Sequence, residues 1–164
     1  MKIKILEKKT SLEKDAEIQK IQKKELPYKK DGWNFNWREL YRTEGAVLFK
    51  ISLMESPHLI EGTLMLTIFN EEMLMMNNIE LAPHNIGKNK KYDNIAGCLL
   101  AFACAESFEK GKGHYQGFLS FDSKTELIDL YHNKYGAQLA MGNKMYFDPE
   151  AGKRLMKKYL QISK

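Results

Sequence analysis

The sequence predicts one α/β domain built around a mixed β-sheet. Three observations lead to this fold class: a run of β-type segments between Gly45 and Ala82, a long apolar helical stretch at Asn94–Glu109, and a hairpin signal followed by a helix after Ala137. A chain of 164 residues has room for one hydrophobic core. We therefore expect a single domain over residues 1–164.

The N-terminal quarter gives two local signals. Met1–Leu6 alternates lysine with isoleucine, which predicts a short strand. Thr10 followed by Glu13 has the spacing of a capping box, which predicts a charged helix running to about Glu25. Pro27 would end that helix.

An aromatic segment follows at residues 28–41. Trp33, Phe35 and Trp37 alternate there with polar residues and lie close to several basic ones. Three interpretations stay open: a loop and short helix packed over one end of the sheet, an aromatic wall for a substrate, or a stacking surface for RNA bases.

The central part of the chain predicts an antiparallel meander. Ala46–Leu53, Ile60–Phe69 and Met73–Ala82 are rich in β-branched, aromatic and other apolar residues. Turn signals at Ser56-Pro57 and Asn70-Glu71 separate them, and such short connections join antiparallel neighbours.

The pattern then changes to alternating helices and short strands. Asn94–Glu109 is apolar almost all round, as a helix buried against a sheet should be. The remaining predicted elements are a strand at Gly117–Phe121, a helix at Ser123–Lys134, a hairpin of Ala137–Ala140 with Lys144–Phe147, and a last helix that opens at Asp148-Pro149 and ends near Leu160.

The composition gives expectations for membrane association, cellular compartment and metal binding. No apolar run reaches the roughly 20 residues of a membrane helix, so we expect no membrane association. Cys98 and Cys104 would point to different sides of one helix, which predicts buried thiols in a reducing compartment, the cytoplasm. The histidines and cysteines never group at metal-ligand spacing, so no metal is expected.

The formal net charge of +5 favours an anionic ligand or partner, and leaves nucleic acid open as one. The methionine and aromatic content would permit a homodimer.

The junction between the third meander strand and the long helix carries the main functional signal. Its loop, which follows Pro83, contains Lys88, Lys90 and Lys91 directly before the helix. A helix N-terminus presents unpaired N–H groups and a positive dipole end, and can therefore hold a pyrophosphate. The alternative is an ordinary lysine-rich surface loop.

This arrangement resembles the GNAT superfamily of acyl-CoA N-acyltransferases from about Gly45 to Asp148. Aligning Cys98-Leu99-Leu100 with the small-Leu-Leu of that family places Lys91-x-x-Asn94-x-Ala96 on its phosphate loop, Arg/Gln-x-x-Gly-x-Gly/Ala. Asn94 departs from the expected glycine. Pro83-His84-Asn85 is similar to a GNAT subgroup with an extended loop.

Further matches follow the long helix in the same order. They are Ser107, Gly113, Gly117-Phe118, and a Leu130-Tyr131…Gly136 pattern that resembles the Leu-Tyr…Gly-Phe signature of the family. Tyr131 lies five residues before the glycine where the family tyrosine lies four, so Tyr135 is the alternative register.

The resemblance implies a GNAT-like fold with a mostly antiparallel central sheet, a splayed strand pair and flanking helices, and acetyl-CoA as cosubstrate in the cleft of that pair. The implied cofactor-binding residues are Leu81, Pro83, Asn85, Lys91, Asn94, Ile95, Ala96, Gly97 and Ser123. Backbone groups around Leu81 would bind the pantetheine, and amides of residues 94–97 would bind the pyrophosphate.

Two residues are candidates for proton transfer. Glu80 is a carboxylate within an apolar strand and would act as the base, or else lies on a solvated face or in an ion pair. Tyr131 would donate a proton to the CoA sulfur, or else is a core tyrosine. His84 is a further but weaker candidate.

The sequence thus predicts an N-acetyltransferase that moves an acetyl group from acetyl-CoA to an amine acceptor. Two alternatives remain at this stage. One is a non-catalytic GNAT-like domain that binds CoA or a partner protein, and the other is a basic nucleic-acid-binding module.

Overall fold

The computed structural model describes residues 1–161, which form eight strands and four α-helices. The elements are β1 (Lys2–Leu6), β2 (Glu13–Lys20), α1 (Trp37–Leu40), β3 (Val47–Leu53), β4 (Gly62–Phe69), β5 (Met73–Leu81), α2 (Ile95–Lys110), β6 (Leu119–Asp122), α3 (Ile128–Tyr135), β7 (Gln138–Met141), β8 (Lys144–Phe147) and α4 (Pro149–Leu155), the last continued by a π-helical turn (Met156–Leu160).

The strands lie in the order β1-β2-β3-β4-β5-β6-β8-β7. The β1–β2, β2–β3, β6–β8 and β7–β8 pairs are antiparallel, whereas β5 and β6 are parallel. The parallel ladder runs from Leu74 opposite Leu119 to Met76 opposite Phe121, and β5 continues beyond it to Leu81. The predicted mixed, mostly antiparallel sheet, the meander and the closing hairpin are confirmed.

The helix predicted from Thr10 to about Glu25 is wrong, because this segment forms strand β2. Thr10 closes a turn instead of capping a helix: its hydroxyl donates to Glu7 Oε1 (2.7 Å) and accepts from the Leu12 amide (3.2 Å). Ala16 and Ile18 are two residues apart and both buried, which is the period of a strand. Pairing on both sides of β2 outweighs the helix propensity of its lysines and glutamates.

Contacts divide the chain into two units. Unit 1 comprises residues 1–65 and 78–99, and unit 2 comprises residues 66–77 and 100–164. In unit 1, one apolar cluster is formed by Ile21, Leu26, Trp33, Trp37, Leu48, Ile60, Met65 and Ala82. Both tryptophans of the aromatic segment belong to it, so the predicted loop and short helix packed on the core is present.

Unit 2 has an aromatic core. The Phe121 ring stacks on Phe147 at a centroid distance of 5.4 Å and meets the edge of Tyr131 at 4.9 Å. Helix α4 is capped as predicted, since the Asp148 carboxylate accepts from the Ala151 amide at 2.8 Å. None of the helices within residues 1–161 has the length and hydrophobicity that crossing a membrane requires.

Candidate active site

The predicted phosphate-binding turn lies in unit 1, where helix α2 begins at Ile95. The Asp93 amide donates to Leu6 O (3.0 Å) and the Cys98 amide donates to Asn94 O (3.0 Å). The amides of residues 94–97 lie between these two bonds, in the first helical turn, where no helical carbonyl is available to them. Asn94 and Ala96 are partly exposed, whereas Ile95 and Gly97 are buried.

The side chain of Asn94, which occupies the position where the family motif has glycine, makes two hydrogen bonds to strand β1. Its Oδ1 accepts from the Leu6 amide at 2.8 Å, and its Nδ2 donates to Lys4 O at 3.4 Å. Asn94 thus completes the free edge of β1 next to the first turn of α2. This second function could not be read from a local motif, since its partners lie about ninety residues earlier.

Several lysines lie in the loop that directly precedes this turn. Lys88 and Lys91 are exposed, while Lys90 forms an ion pair with Asp93 at 3.0 Å. Lys8 joins them from the β1–β2 turn, where its amide donates to Lys91 O (2.9 Å) and its Nζ to Lys88 O (2.8 Å). The sequence prediction missed Lys8, because the pairing of the β1–β2 turn with the loop brings it there.

The other predicted cofactor residues differ in accessibility. Leu81 is half-buried and Pro83 is exposed. Asn85 is buried, with its Nδ2 donating to Glu61 O and Oε1 and its Oδ1 accepting from the Tyr92 amide. Ser123, in unit 2, is also buried and donates its hydroxyl hydrogen to Lys124 O at 2.8 Å.

The Glu80 carboxylate is buried and bound by three N–H donors. Its Oε1 accepts from the Trp37 indole Nε1 (2.8 Å) and the Phe35 amide (3.1 Å), and its Oε2 accepts from the Asn34 amide (2.5 Å). These bonds fix the aromatic segment against β5 within unit 1. They favour a positioning function for Glu80 over the function of a base.

The two tyrosines considered as proton donors lie in unit 2. Tyr131 is half-buried and its ring centroid is 6.3 Å from that of Tyr135, which is 8% exposed. Burial raises the pKa of Tyr131 above its ordinary value. A phenol in that state keeps its proton at neutral pH, as a general acid must before it reacts.

Unit 1 also contains an open groove of about 630 Å³ beside the aromatic segment. Its lining includes Leu26, Tyr28, Trp33, Ile60, Pro83 and His84. Arg38 covers the Tyr28 ring, with its guanidinium carbon 3.9 Å from the ring centroid, so this ring is held in place rather than free to stack on a base.

A carboxylate that the sequence prediction missed lies behind this groove. Glu61 is fully buried, and its Oε1 lies 2.5 Å from His84 Nε2. A glutamate directly before a β-segment gives no local signal of burial, because its partner lies more than twenty residues further along the chain.

Comparison with solved structures identifies the fold of this chain. No protein-family profile and no curated protein matches the sequence. Among solved structures, a chain of the KacTA–DNA complex superimposes with a TM-score of 0.62 at 7% identity, over 87% of this chain and 99% of that one. SpeG from Vibrio cholerae, a spermidine/spermine N-acetyltransferase solved as mutant forms, gives a TM-score of 0.57 at 15% identity over 82% and 95%.

A GNAT family acetyltransferase from Elizabethkingia anophelis, solved with acetyl-CoA bound, gives a TM-score of 0.53 at 19% identity, over 77% of this chain and 78% of that one. The chain therefore has the GNAT acetyltransferase fold. The resemblance drawn from the sequence is confirmed at the level of the fold.

Proposed function

We propose that the protein is an N-acetyltransferase that transfers the acetyl group of acetyl-CoA to a primary amine. The observation that carries the proposal is the GNAT fold. It is supported by the exposed lysines of the loop before α2, where the resemblance to the family expects the phosphate loop. The Elizabethkingia neighbour, which has the same fold, was solved with acetyl-CoA. We take an amine as the acceptor, because an amine nitrogen readily attacks the thioester carbonyl of acetyl-CoA.

The cosubstrate would be held mainly by unit 1. Amides of residues 94–97 and the ammonium groups of Lys8, Lys88 and Lys91 supply N–H donors and positive charge for phosphate oxygens. Backbone groups of Leu81 at the end of β5 would bind the pantetheine, with Pro83 beside it. The buried side chains of Asn85 and Ser123 are engaged within the protein, so we assign them to support and not to direct cofactor contact.

The acceptor amine would occupy the groove beside the aromatic segment. The groove is large enough for a small molecule or a peptide end, and its lining combines apolar and aromatic side chains with a few charged ones. Glu25, one of the charged ones, accepts a hydrogen bond from the buried Lys50 Nζ. This ion pair fixes the groove wall to β3.

The direct test has two stages. Thermal unfolding is measured with acetyl-CoA, CoA and a nucleotide control, and thiol release is then measured with spermidine, free lysine, a peptide with a free N-terminus, an aromatic alkylamine and an aminoacyl-tRNA. Stabilisation by acetyl-CoA with thiol release for at least one amine supports the proposal. Stabilisation without transfer to any amine would indicate a non-catalytic CoA-binding domain, and salt-sensitive RNA binding without stabilisation would indicate a nucleic-acid-binding module.

Lys91→Glu should weaken acetyl-CoA binding about tenfold, because it reverses a charge near the phosphates. Isothermal titration calorimetry at low and high salt measures this, and the difference should shrink as salt screens the charge. Lys112→Glu is the matched control, since Lys112 is an exposed lysine of unit 2. Equal affinity in Lys91→Glu and the control would mean that the phosphates bind elsewhere.

Tyr131→Phe should lower kcat about 10²-fold while the affinity for acetyl-CoA stays the same, because it removes the proton-donating hydroxyl group and keeps the aromatic ring. Steady-state kinetics and calorimetry on the same preparation provide both values. Tyr135→Phe is the companion variant. A loss of turnover in Tyr135→Phe and not in Tyr131→Phe would transfer the assignment to Tyr135.

A further inference from the structure

The groove of unit 1 ends at a histidine supported by a fully buried carboxylate. His84 lines the groove and its side chain is 37% exposed, whereas the Glu61 side chain is completely buried. His84 Nε2 and Glu61 Oε1 are 2.5 Å apart, within hydrogen-bonding distance. One end of the pair thus meets the groove and the other lies inside the protein.

Glu61 is held in place independently of the histidine. Its amide donates to Ile51 O (2.8 Å) and its carbonyl accepts from the Ala82 amide (3.0 Å). The Asn85 amide group donates to both the carbonyl and Oε1 of Glu61, at 2.9 and 3.0 Å. The carboxylate therefore has a fixed position before any ligand arrives, as a preorganised site requires.

The other carboxylate oxygen of Glu61 lacks a hydrogen-bond donor within the described residues. Glu61 Oε2 is buried, and no donor within residues 1–161 reaches it. A buried carboxylate without full compensation stabilises positive charge that develops on a neighbouring group. The neighbour that can develop such a charge is His84, whose Nε2 is hydrogen-bonded to Glu61 Oε1.

The hydrogen bond also determines which nitrogen of His84 can accept a proton. An ionised Glu61 only accepts, so His84 Nε2 carries the hydrogen and Nδ1 keeps its lone pair. A buried carboxylate that sets the tautomer of an imidazole and stabilises its protonated form is a well-established arrangement for a general base.

We propose that His84, oriented by Glu61, takes the proton of the acceptor amine in the groove; this inference rests on the proposed acetyl transfer. The nitrogen lone pair of the neutral amine forms a C–N bond to the thioester carbon, and the C–S bond breaks with its electron pair on sulfur. The N–H proton passes to His84 Nδ1 and then to solvent, and the thiolate takes up one proton, so no net proton is released.

Other groups around the pair determine how a pH profile must be interpreted. Lys24, Glu25, Asp31 and His58 line the same groove. On the inner side, burial and then the charges of Glu61, Glu7 and Glu55 raise the pKa of Tyr92 to about 12, so Tyr92 stays protonated throughout the assay range. His58 is the other imidazole of the groove, and a His58 variant is needed to separate the two.

The experiment measures kcat/KM for an amine that the wild-type protein acetylates, from about pH 5.5 to 9, by thiol release. The main variant is His84→Gln, whose amide can still donate to Glu61. We expect kcat/KM to fall about 10²-fold and its rise with pH to disappear. Stabilisation by acetyl-CoA should be unchanged, and added imidazole should restore part of the activity of His84→Ala.

One further variant tests Glu61, and two histidine variants serve as controls. Glu61→Gln keeps an acceptor oxygen for the Nε2–H but removes the charge, and should lower kcat/KM about tenfold with the fold retained. His58→Ala should keep the rise with pH. His114→Ala, which removes an exposed histidine of unit 2, is the control for loss of a histidine as such.

The outcomes separate this inference from the proposed function. A wild-type protein that acetylates no amine overturns both. A His84→Gln protein with wild-type kcat/KM and pH profile overturns the inference alone and leaves acetyl transfer standing. If one of the two substitutions at His84 unfolds the protein, the test is made with the other, folded variant. An unaltered pH profile in Glu61→Gln also counts against the proposed function of the pair.

Discussion

Replacing Glu80 by glutamine is expected to lower the free energy of unfolding by about 3 kcal/mol, since each hydrogen bond to a buried charged group contributes about 1.5–3 kcal/mol. The carboxylate accepts from Asn34, Phe35 and Trp37, and glutamine has one acceptor oxygen for these three donors. Its NH₂ group would face the Asn34 amide, donor against donor, at the present 2.5 Å contact. The aromatic segment should therefore detach from β5.

Urea unfolding followed by tryptophan fluorescence measures this change. For a protein of this size, about 3 kcal/mol corresponds to a fall in Tm of roughly 6–12 °C. The indole N–H resonance of Trp37 should also shift in an NMR spectrum, because its acceptor changes. Glu44→Gln is the matched control, since Glu44 is an exposed glutamate of the same unit.

The same variant distinguishes the two functions considered for Glu80. A positioning residue should change stability and the KM for the amine, because the aromatic segment borders the groove. A base should instead change kcat and its pH dependence at unaltered stability. If Glu80→Gln keeps normal stability but its kcat no longer rises with pH, Glu80 would again be assigned as the base, which would count against His84.

Gly111→Ala is the second large effect, with an expected loss of about 3 kcal/mol or more from overpacking and lost hydrogen bonds. A Cβ at this position would lie 2.6 Å from Ser107 O and 2.8 Å from Tyr115 O. Both are backbone atoms and cannot rotate away. Ser107 O also accepts from the Gly111 and Gly117 amides, so moving it disturbs the turn that ends α2.

Gly113→Ala provides the control within the same turn. Gly113 has φ of +57°, but a Cβ there would meet no atom within 4 Å. Alanine at this position should lower the free energy of unfolding by only about 1 kcal/mol, because its Cβ disfavours the left-handed backbone conformation. Unfolding curves of the two variants test the difference. A Gly111→Ala protein as stable as Gly113→Ala would contradict the close packing of this turn.

The fold from β3 onward could be predicted because each segment carries its own periodicity. β3, β4 and β5 are apolar runs bounded by turn residues, and α2 is apolar all round, so local pattern and final structure agree. β2 could not be predicted, because Glu13–Lys20 is rich in helix formers and gains its strand partners only in the sheet. Ala16 lies opposite both Ile3 and Leu53 there.

The candidate site divides in the same way. The loop lysines and the helix start are adjacent in sequence, so the anion-binding turn could be proposed from a motif. The surroundings of Glu80 and Glu61 could not, since a glutamate in a strand or directly before one looks the same whether it is solvated, paired or bound by three N–H donors. Glu80 acquires donors 43–46 residues away, and Glu61 acquires His84 23 residues away.

By itself the sequence determined the succession of elements from β3 onward and the lysine-rich loop before α2, because these depend on periodicity and on residues close in the chain. The GNAT-type architecture was implied by the resemblance of its motifs to that family. Only the tertiary structure decided the strand state of β2, the contacts of Lys8 with Lys88 and Lys91 in the loop before α2, and the separate surroundings of Glu80 and Glu61. The physical reason is that burial and hydrogen-bond partners of polar groups are set by residues distant in sequence, which no local pattern specifies.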